Sequence, residues 1–227
     1  EGLDGLRERL DDYRERGAKF TKWRAVITIG GDIPSRACVA ANAHALARYA
    51  ALSQEAGLVP IVEPETLMDG GHTLDRHYEV TSEVLPLLFE ELAEQRVALE
   101  GTLLKVNMTL SGTECSEQAG PEEVAETTVR CLRATVPPAI PGIVFLSGGQ
   151  GEEQATENLD AINRLGKAPW ALSFSYGRAL QAPALKAWQG APDNYEAGQK
   201  ALHHRARMNA AARSGAYSRD MEPATPV

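Results

Sequence analysis

Five short runs of β-branched and aromatic apolar residues punctuate the chain, and segments of helical period separate them. The runs are KFTKWRAVITIG at 19–30, LVPIVEPETL at 58–67, ALEGTLLKVNM at 98–108, PGIVFLSGGQ at 141–150 and PWALSFSYGRAL at 169–180; each reads as a strand. Ser35 is placed to cap a helix running toward Gly57. Pro121 holds a first-turn position ahead of the stripe Val124, Thr128, Cys131 and Thr135. In HYEVTSEVLPLLFEELAEQR the stripe is Val80, Val84, Leu88 and Leu92, and Pro86 is expected to kink or break it. GEEQATENLDAINRL opens with the acids that suit a helix N-terminus.

The run starts lie about 30 to 40 residues apart, the size of a strand plus a crossover helix. Repeated βα units mean an α/β fold with a parallel sheet, either open and doubly wound or part of an eight-stranded barrel. Charged and hydroxyl side chains recur at the C-terminal halves of the runs, where a (β/α)8 barrel builds its active site. An open sheet would gather them at one switch point instead. The expected fold is therefore the barrel.

The 227 residues, 43% of them hydrophobic, suffice for one large domain or at most two. A formal net charge of -8, with Lys and Arg scattered, lacks the basic footprint expected of a partner for nucleic acid or an anionic membrane. No apolar run approaches the roughly 18 residues of a spanning helix, and the first twenty residues are too charged for a signal peptide. Cys38, Cys115 and Cys131 show no CxxC spacing and fit a reducing cytosol. A soluble, cytoplasmic protein is the expectation. The opening at Glu1, without a methionine, suggests a processed product or a fragment.

Lysine in the third run raises the chemical question. Strand periodicity puts Leu103 and Lys105 on one face, opposite Thr102 and Leu104. Desolvation of an ammonium favours its neutral, nucleophilic form, the condition for a Schiff base with a carbonyl substrate. The competing reading is a lysine that snorkels out of a strand end or pairs with an acid. VEPE sets Glu63 and Glu65 on one side of the second strand, where paired acids can divide proton transfer from cation stabilisation. In KWR, Lys22 and Arg24 share a face and Trp23 takes the other; inward cations there need the glutamates or an anionic ligand as partners.

The last two runs add small-residue turns. Ser147, Gly148 and Gly149 precede a helix, so their backbone N–H groups can approach an anion. Ser175, Gly177 and Arg178 offer a hydroxyl, an open backbone and a guanidinium suited to phosphate. Phosphate sites after strands seven and eight recur in such barrels, which makes these the last five of eight strands. The histidines His44, His72, His77, His203 and His204 lie off the strand ends and read as surface residues. No metal-binding cluster, nucleophile elbow or nucleotide loop stands at a strand end.

With EGLDGL, KWRAVITIG, VPIVEPE, LEGTLLKVNM, TVPPAIPGIVFLSGGQ, NLDAINR and PWALSFSYGRALQAPALKAW in this order, the chain closely resembles class I fructose-bisphosphate aldolase from about Glu1 to Tyr217. The resemblance implies a (β/α)8 TIM barrel, of which this chain is the last five βα units, with residues 1–227 in a single barrel domain and 183–227 forming C-terminal helices and tail. It implies reversible cleavage of fructose 1,6-bisphosphate to dihydroxyacetone phosphate and glyceraldehyde 3-phosphate, with no metal or other cofactor. Lys105 resembles the Schiff-base lysine and Glu63 the general acid and base. Glu65 resembles the residue that helps position the charged centre, and Lys22 the lysine that assists the carbinolamine and cleavage steps. Arg24 resembles a contact to the distal phosphate, whereas Ser147, Gly148, Ser175, Gly177 and Arg178 resemble the site for the ketone-side phosphate. A homotetramer is implied as well. So is a second capacity, as a non-catalytic scaffold for actin or other cytoskeletal partners.

The chain departs from the family pattern at three places. Val106 stands where many relatives have proline. A chain ending MEPATPV has no counterpart of the family's C-terminal tyrosine, and that role does not pass to Tyr217. About three further βα units, with an aspartate and a second pocket lysine, are expected ahead of Glu1. Among Schiff-base aldolases, Arg24 and the two-phosphate layout favour the bisphosphate substrate.

Overall fold

The computed structural model describes residues 2–223; the last four residues of the expected tail lie outside it. Helix α1 (Leu6–Glu15) precedes β1 (Phe20–Ile27), α2 (Arg36–Glu55), β2 (Val59–Thr66), α3 (Leu74–Glu94), β3 (Leu103–Val106), α4 (Pro121–Thr135), β4 (Gly142–Phe145), α5 (Glu152–Arg164), β5 (Ala171–Phe174), α6 (Arg178–Trp188) and α7 (Tyr195–Ala212). All four strand pairings are parallel, and the sheet order β1-β2-β3-β4-β5 is the chain order. Right-handed crossovers in unbroken sequential order put every connecting helix on one face, and such a sheet curls into a barrel wall. A doubly wound sheet would reverse its order, and this one does not.

The helix-facing side is apolar. Val62, Leu104, Val106, Ile143 and Phe145 pack with Leu46, Leu85, Leu88, Leu92, Leu132 and Leu159 in one continuous core. The other side of β1, β2 and β3 carries the alternating Lys22 and Arg24, Glu63 and Glu65, and Lys105. The fold thereby separates a dry layer from a charged one across the thickness of a single sheet.

The helix starts follow the expected chemistry. Ser35 accepts a hydrogen bond from the Cys38 amide at 3.2 Å, and Pro121 opens α4, whose Val124, Thr128 and Cys131 are buried. Pro86 does not break its helix. Helix α3 runs without interruption from Leu74 to Glu94, although an interior proline costs about 3 kcal/mol. Burial of Val84, Leu85, Leu88 and Leu92 around the proline offsets that loss.

The last three strands are shorter than their apolar runs. Each ends after four residues, and the remainder turns across the C-terminal end of the sheet. Single bonds, Leu146 N to Val106 O and Ser175 N to Phe145 O, mark where the chains splay. The polar ends of the runs belong to these turns.

Candidate active site

Glu63 sits at the centre of the charged layer and is almost fully buried. Its Oε1 lies 3.0 Å from Lys105 Nζ, and its Oε2 lies 2.9 Å from Lys22 Nζ. The Lys22 contact is ionic, without hydrogen-bond alignment. Lys105 keeps only 12% of its side-chain surface exposed, so most of the side chain is withdrawn from bulk water. A buried carboxylate between two ammonium groups has its charge compensated from both sides, as burial of an ion requires.

Glu65, one step further along β2, pairs with Arg24. That hydrogen bond raises the Arg24 guanidinium above its usual range, and burial only partly opposes the rise. In the β1–β2 register Arg24 lies beside Glu63, yet each cation reaches one step forward: Lys22 to Glu63, Arg24 to Glu65. Three cations against two carboxylates leave a formal charge of 3 - 2 = +1, which suits an anionic ligand. Lys22 and Arg24 are half-exposed and border a groove of about 700 Å³ that wraps the open edge of β1, lined also by Leu10, Tyr13, Phe20 and Trp23. Glu63 and Lys105 do not line this groove.

Ser147, Gly148 and Gly149 form the turn between β4 and α5. Gly148 has φ +48° and Gly149 φ +77°, conformations that glycine adopts without penalty. A Cβ on Gly148 would lie 3.1 Å from Asn107 Nδ2, so the residue also has no room for a side chain. Gln150 holds the turn, since its backbone N and its Nε2 both donate to the Ser147 carbonyl, at 3.0 and 2.9 Å. Ser175 follows the end of β5, Gly177 caps α6 and Arg178 begins it, the latter two exposed. Neither α5 nor α6 has a side-chain cap, although the Leu180 amide in the first turn of α6 donates to the Gly177 carbonyl at 3.2 Å. The pairing Phe145 to Phe174 sets these two turns side by side at the end of the sheet.

The histidine expectation is corrected. His44 and His203 are exposed, but His77 is wholly buried, its Nε2 against Thr66 Oγ1 and its Nδ1 accepting from the Leu110 amide at 2.9 Å. Burial, then the nearby His72 ring, push it down to about 3, so it is neutral. His72 stacks edge-on at 5.8 Å and is itself lowered by burial. His204 pairs with Glu222, a carboxylate also bound by buried Arg205 and by the Tyr217 hydroxyl at 3.0 Å. Tyr217 is thus a structural residue of the tail's root. Among the described residues no three or more His, Cys, Asp or Glu side chains are grouped to hold a metal ion, and no helix is long and apolar enough to cross a membrane.

Sequence reasoning passed over Asn107, Thr66 and Gln150, and misplaced His77 on the surface. Only Asn107 carried a signal, standing two residues beyond Lys105.

The family profile described as fructose-bisphosphate aldolase class-I matches residues 1–225. A probable fructose-bisphosphate aldolase class 1 of Xanthomonas campestris pv. campestris is 58% identical over 96% of this chain and 65% of its own length. The fructose-bisphosphate aldolase C of Rattus norvegicus is 53% identical over 96% of this chain and 60% of its own. The chain thus spans about 65% or less of the length of these relatives. Plasmodium falciparum fructose-bisphosphate aldolase, solved with TRAP and a small-molecule inhibitor, superposes with a TM-score of 0.94 at 50% identity, covering 96% of this chain and 63% of that one. With sheet order, charged layer and sequence in agreement, this chain belongs to the class I fructose-bisphosphate aldolase family.

Proposed function

We propose that the protein cleaves fructose 1,6-bisphosphate reversibly to dihydroxyacetone phosphate and glyceraldehyde 3-phosphate through an imine on Lys105. The observation that carries this reading is the Glu63 carboxylate held within 3.0 Å of both Lys105 and Lys22. Lys105 passes a proton to Glu63 and attacks the C2 ketone as the free amine, its second proton moving to the former carbonyl oxygen; the carbinolamine loses water as Glu63 returns its proton to the leaving hydroxyl, and Lys22 stabilises the developing charge. The resulting iminium draws electrons from C3. Glu63, a carboxylate again, removes the C4 hydroxyl proton, the C3–C4 bond breaks, and its electron pair moves into the enamine while the aldehyde departs. Protonation at C3 and hydrolysis then return the amine. Glu65 keeps Arg24 in place toward the distal phosphate. Ser147, Gly148, Ser175, Gly177 and Arg178 bind the ketone-side phosphate, and two anchored ends align the breaking bond. We place this chain within a single barrel domain and, with relatives named as cytosolic in Arabidopsis thaliana, in the cytosol.

The test is intact mass spectrometry after incubation with dihydroxyacetone phosphate and sodium borohydride. One adduct, mapped to Lys105 and lost in Lys105→Met, is the expected result. Folded protein with no adduct at Lys105 overturns the catalytic reading. A protein-binding role would then stand in its place, supported by the Plasmodium aldolase's complex with TRAP.

A further inference from the structure

Backbone pairing between β2 and β3 stops short of the reacting residues. Strands β1 and β2 pair over eight residues, from Phe20 beside Val59 to Ile27 beside Thr66, but β2 and β3 pair only at Ile61 with Leu103 and Val62 with Leu104. The cause is local. Val59 N donates to Lys19 O and Leu67 N to Ile27 O, so odd-numbered amides of β2 point to β1 and even-numbered ones to β3. The next even residue after Val62 is Pro64, which has no N–H to give. Continued one step, the register would set Glu63 beside Lys105, yet no ladder bond holds the strands there.

Asn107 closes the gap with its side chain. The Thr66 amide donates to Asn107 Oδ1 at 3.0 Å, and Asn107 Nδ2 donates to the Thr66 carbonyl at 2.9 Å. One carboxamide thus takes both backbone groups of the next even residue of β2, as a partner strand would. Asn107 is 3% exposed, so this pair meets no competition from water. Thr66 is fixed in turn by the His77 ring, and the Gly148 turn packs close against Asn107 Nδ2. Strand β2, with both glutamates, is tied to the strand of Lys105 by this splint.

We infer that Asn107 is a positioning residue that sets the distance between Lys105 and Glu63. It reaches neither the amine nor the carboxylate, and its effect passes through the ends of two strands. The inference rests on the proposed lysine chemistry for its kinetic readout, but the geometry it describes has a readout without substrate.

Asn107→Leu removes both bonds while keeping the branched heavy-atom skeleton, and Asn107→Asp keeps the acceptor but loses the donor. Leu132→Ala, on the helix side of the sheet, serves as the control for general destabilisation. Both Asn107 variants are expected to lose about 100-fold in kcat with KM within about threefold of the parent. Competitive trace acetylation at pH 7 reads the pair directly: with Glu63 no longer held against it, Lys105 should acetylate about threefold faster relative to Lys200 in Asn107→Leu, which adds no charge of its own. Acetylation of Lys105 unchanged in folded Asn107→Leu would overturn the positioning role. So would losses of kcat no larger than those of Leu132→Ala at matched stability. If the parent forms no borohydride adduct but the acetylation change is seen, the catalytic reading fails and the positioning of Lys105 against Glu63 stands.

Discussion

Acidification should destabilise this protein through His77. The ring is wholly buried against Thr66 and Leu110 and is held down to about 3, first by burial and then by His72; the Leu110 carbonyl opposes this only in part. Unfolded, the same imidazole titrates near 6.5. Above that pH both states are neutral and the site contributes nothing to the pH dependence. Below it the unfolded chain takes the proton and the folded one does not, so stability falls by about 1.4 kcal/mol per pH unit until the folded ring protonates. At pH 5 the loss is about 1.5 × 1.36, or about 2 kcal/mol; near pH 3 it reaches about 5 kcal/mol. The assay is urea unfolding followed by circular dichroism at pH 7.5, 6.5, 5.5 and 5.0, on the parent and on His77→Gln. Glutamine keeps a neutral donor and acceptor but cannot titrate. It should start weaker by about 1 to 3 kcal/mol and lose about 2 kcal/mol less on going to pH 5. Equal slopes for the two proteins, or a His77 ring titrating near 6.5 by NMR, would refute the reasoning.

Two further substitutions probe other parts of the structure. Gly148→Ala forces a side chain into a left-handed turn and to within 3.1 Å of Asn107. It should cost about 1 to 2 kcal/mol by thermal unfolding and raise KM more than it lowers kcat, whereas an unchanged KM would separate this turn from phosphate binding. Glu222→Gln leaves Arg205, whose side chain is 4% exposed, without its counter-charge, so a loss of about 3 to 5 kcal/mol is expected. A change below about 1 kcal/mol would show that the tail's root is not held by this pair.

Legibility in the sequence followed the range of the physics. Period-two alternation put Lys22 with Arg24, Glu63 with Glu65, and Leu103 with Lys105 on common faces, and the structure brings Lys22, Glu63 and Lys105 into contact because neighbouring parallel strands align those faces. Helix starts at the Ser35 cap and the first-turn Pro121 are encoded by one or two residues and are readable for that reason. The histidines were not. His77 is polar by type and lies off the strands, and only the approach of the chain after β3 supplies the partners that make its burial tolerable. Pro86 was misleading because its local penalty is smaller than the tertiary burial around it. Asn107 was invisible as a strand partner because its role depends on a missing amide 43 residues earlier, at Pro64. A pairwise long-range relation of that kind leaves no period in a single sequence.

The restriction of the prolines of β2 to even positions, Pro60 and Pro64, has a mechanical consequence. Toward β1 the amides are intact, and the two strands move as one plank. Toward β3 the join is two rungs and an amide splint. Thermal breathing of the barrel wall is therefore concentrated in the seam between β2 and β3, on whose opposite banks sit Glu63 and Lys105. Slow amide exchange should run unbroken across β1 and β2 and fall away at this seam, so the softest line in the sheet is the one that separates Glu63 from Lys105.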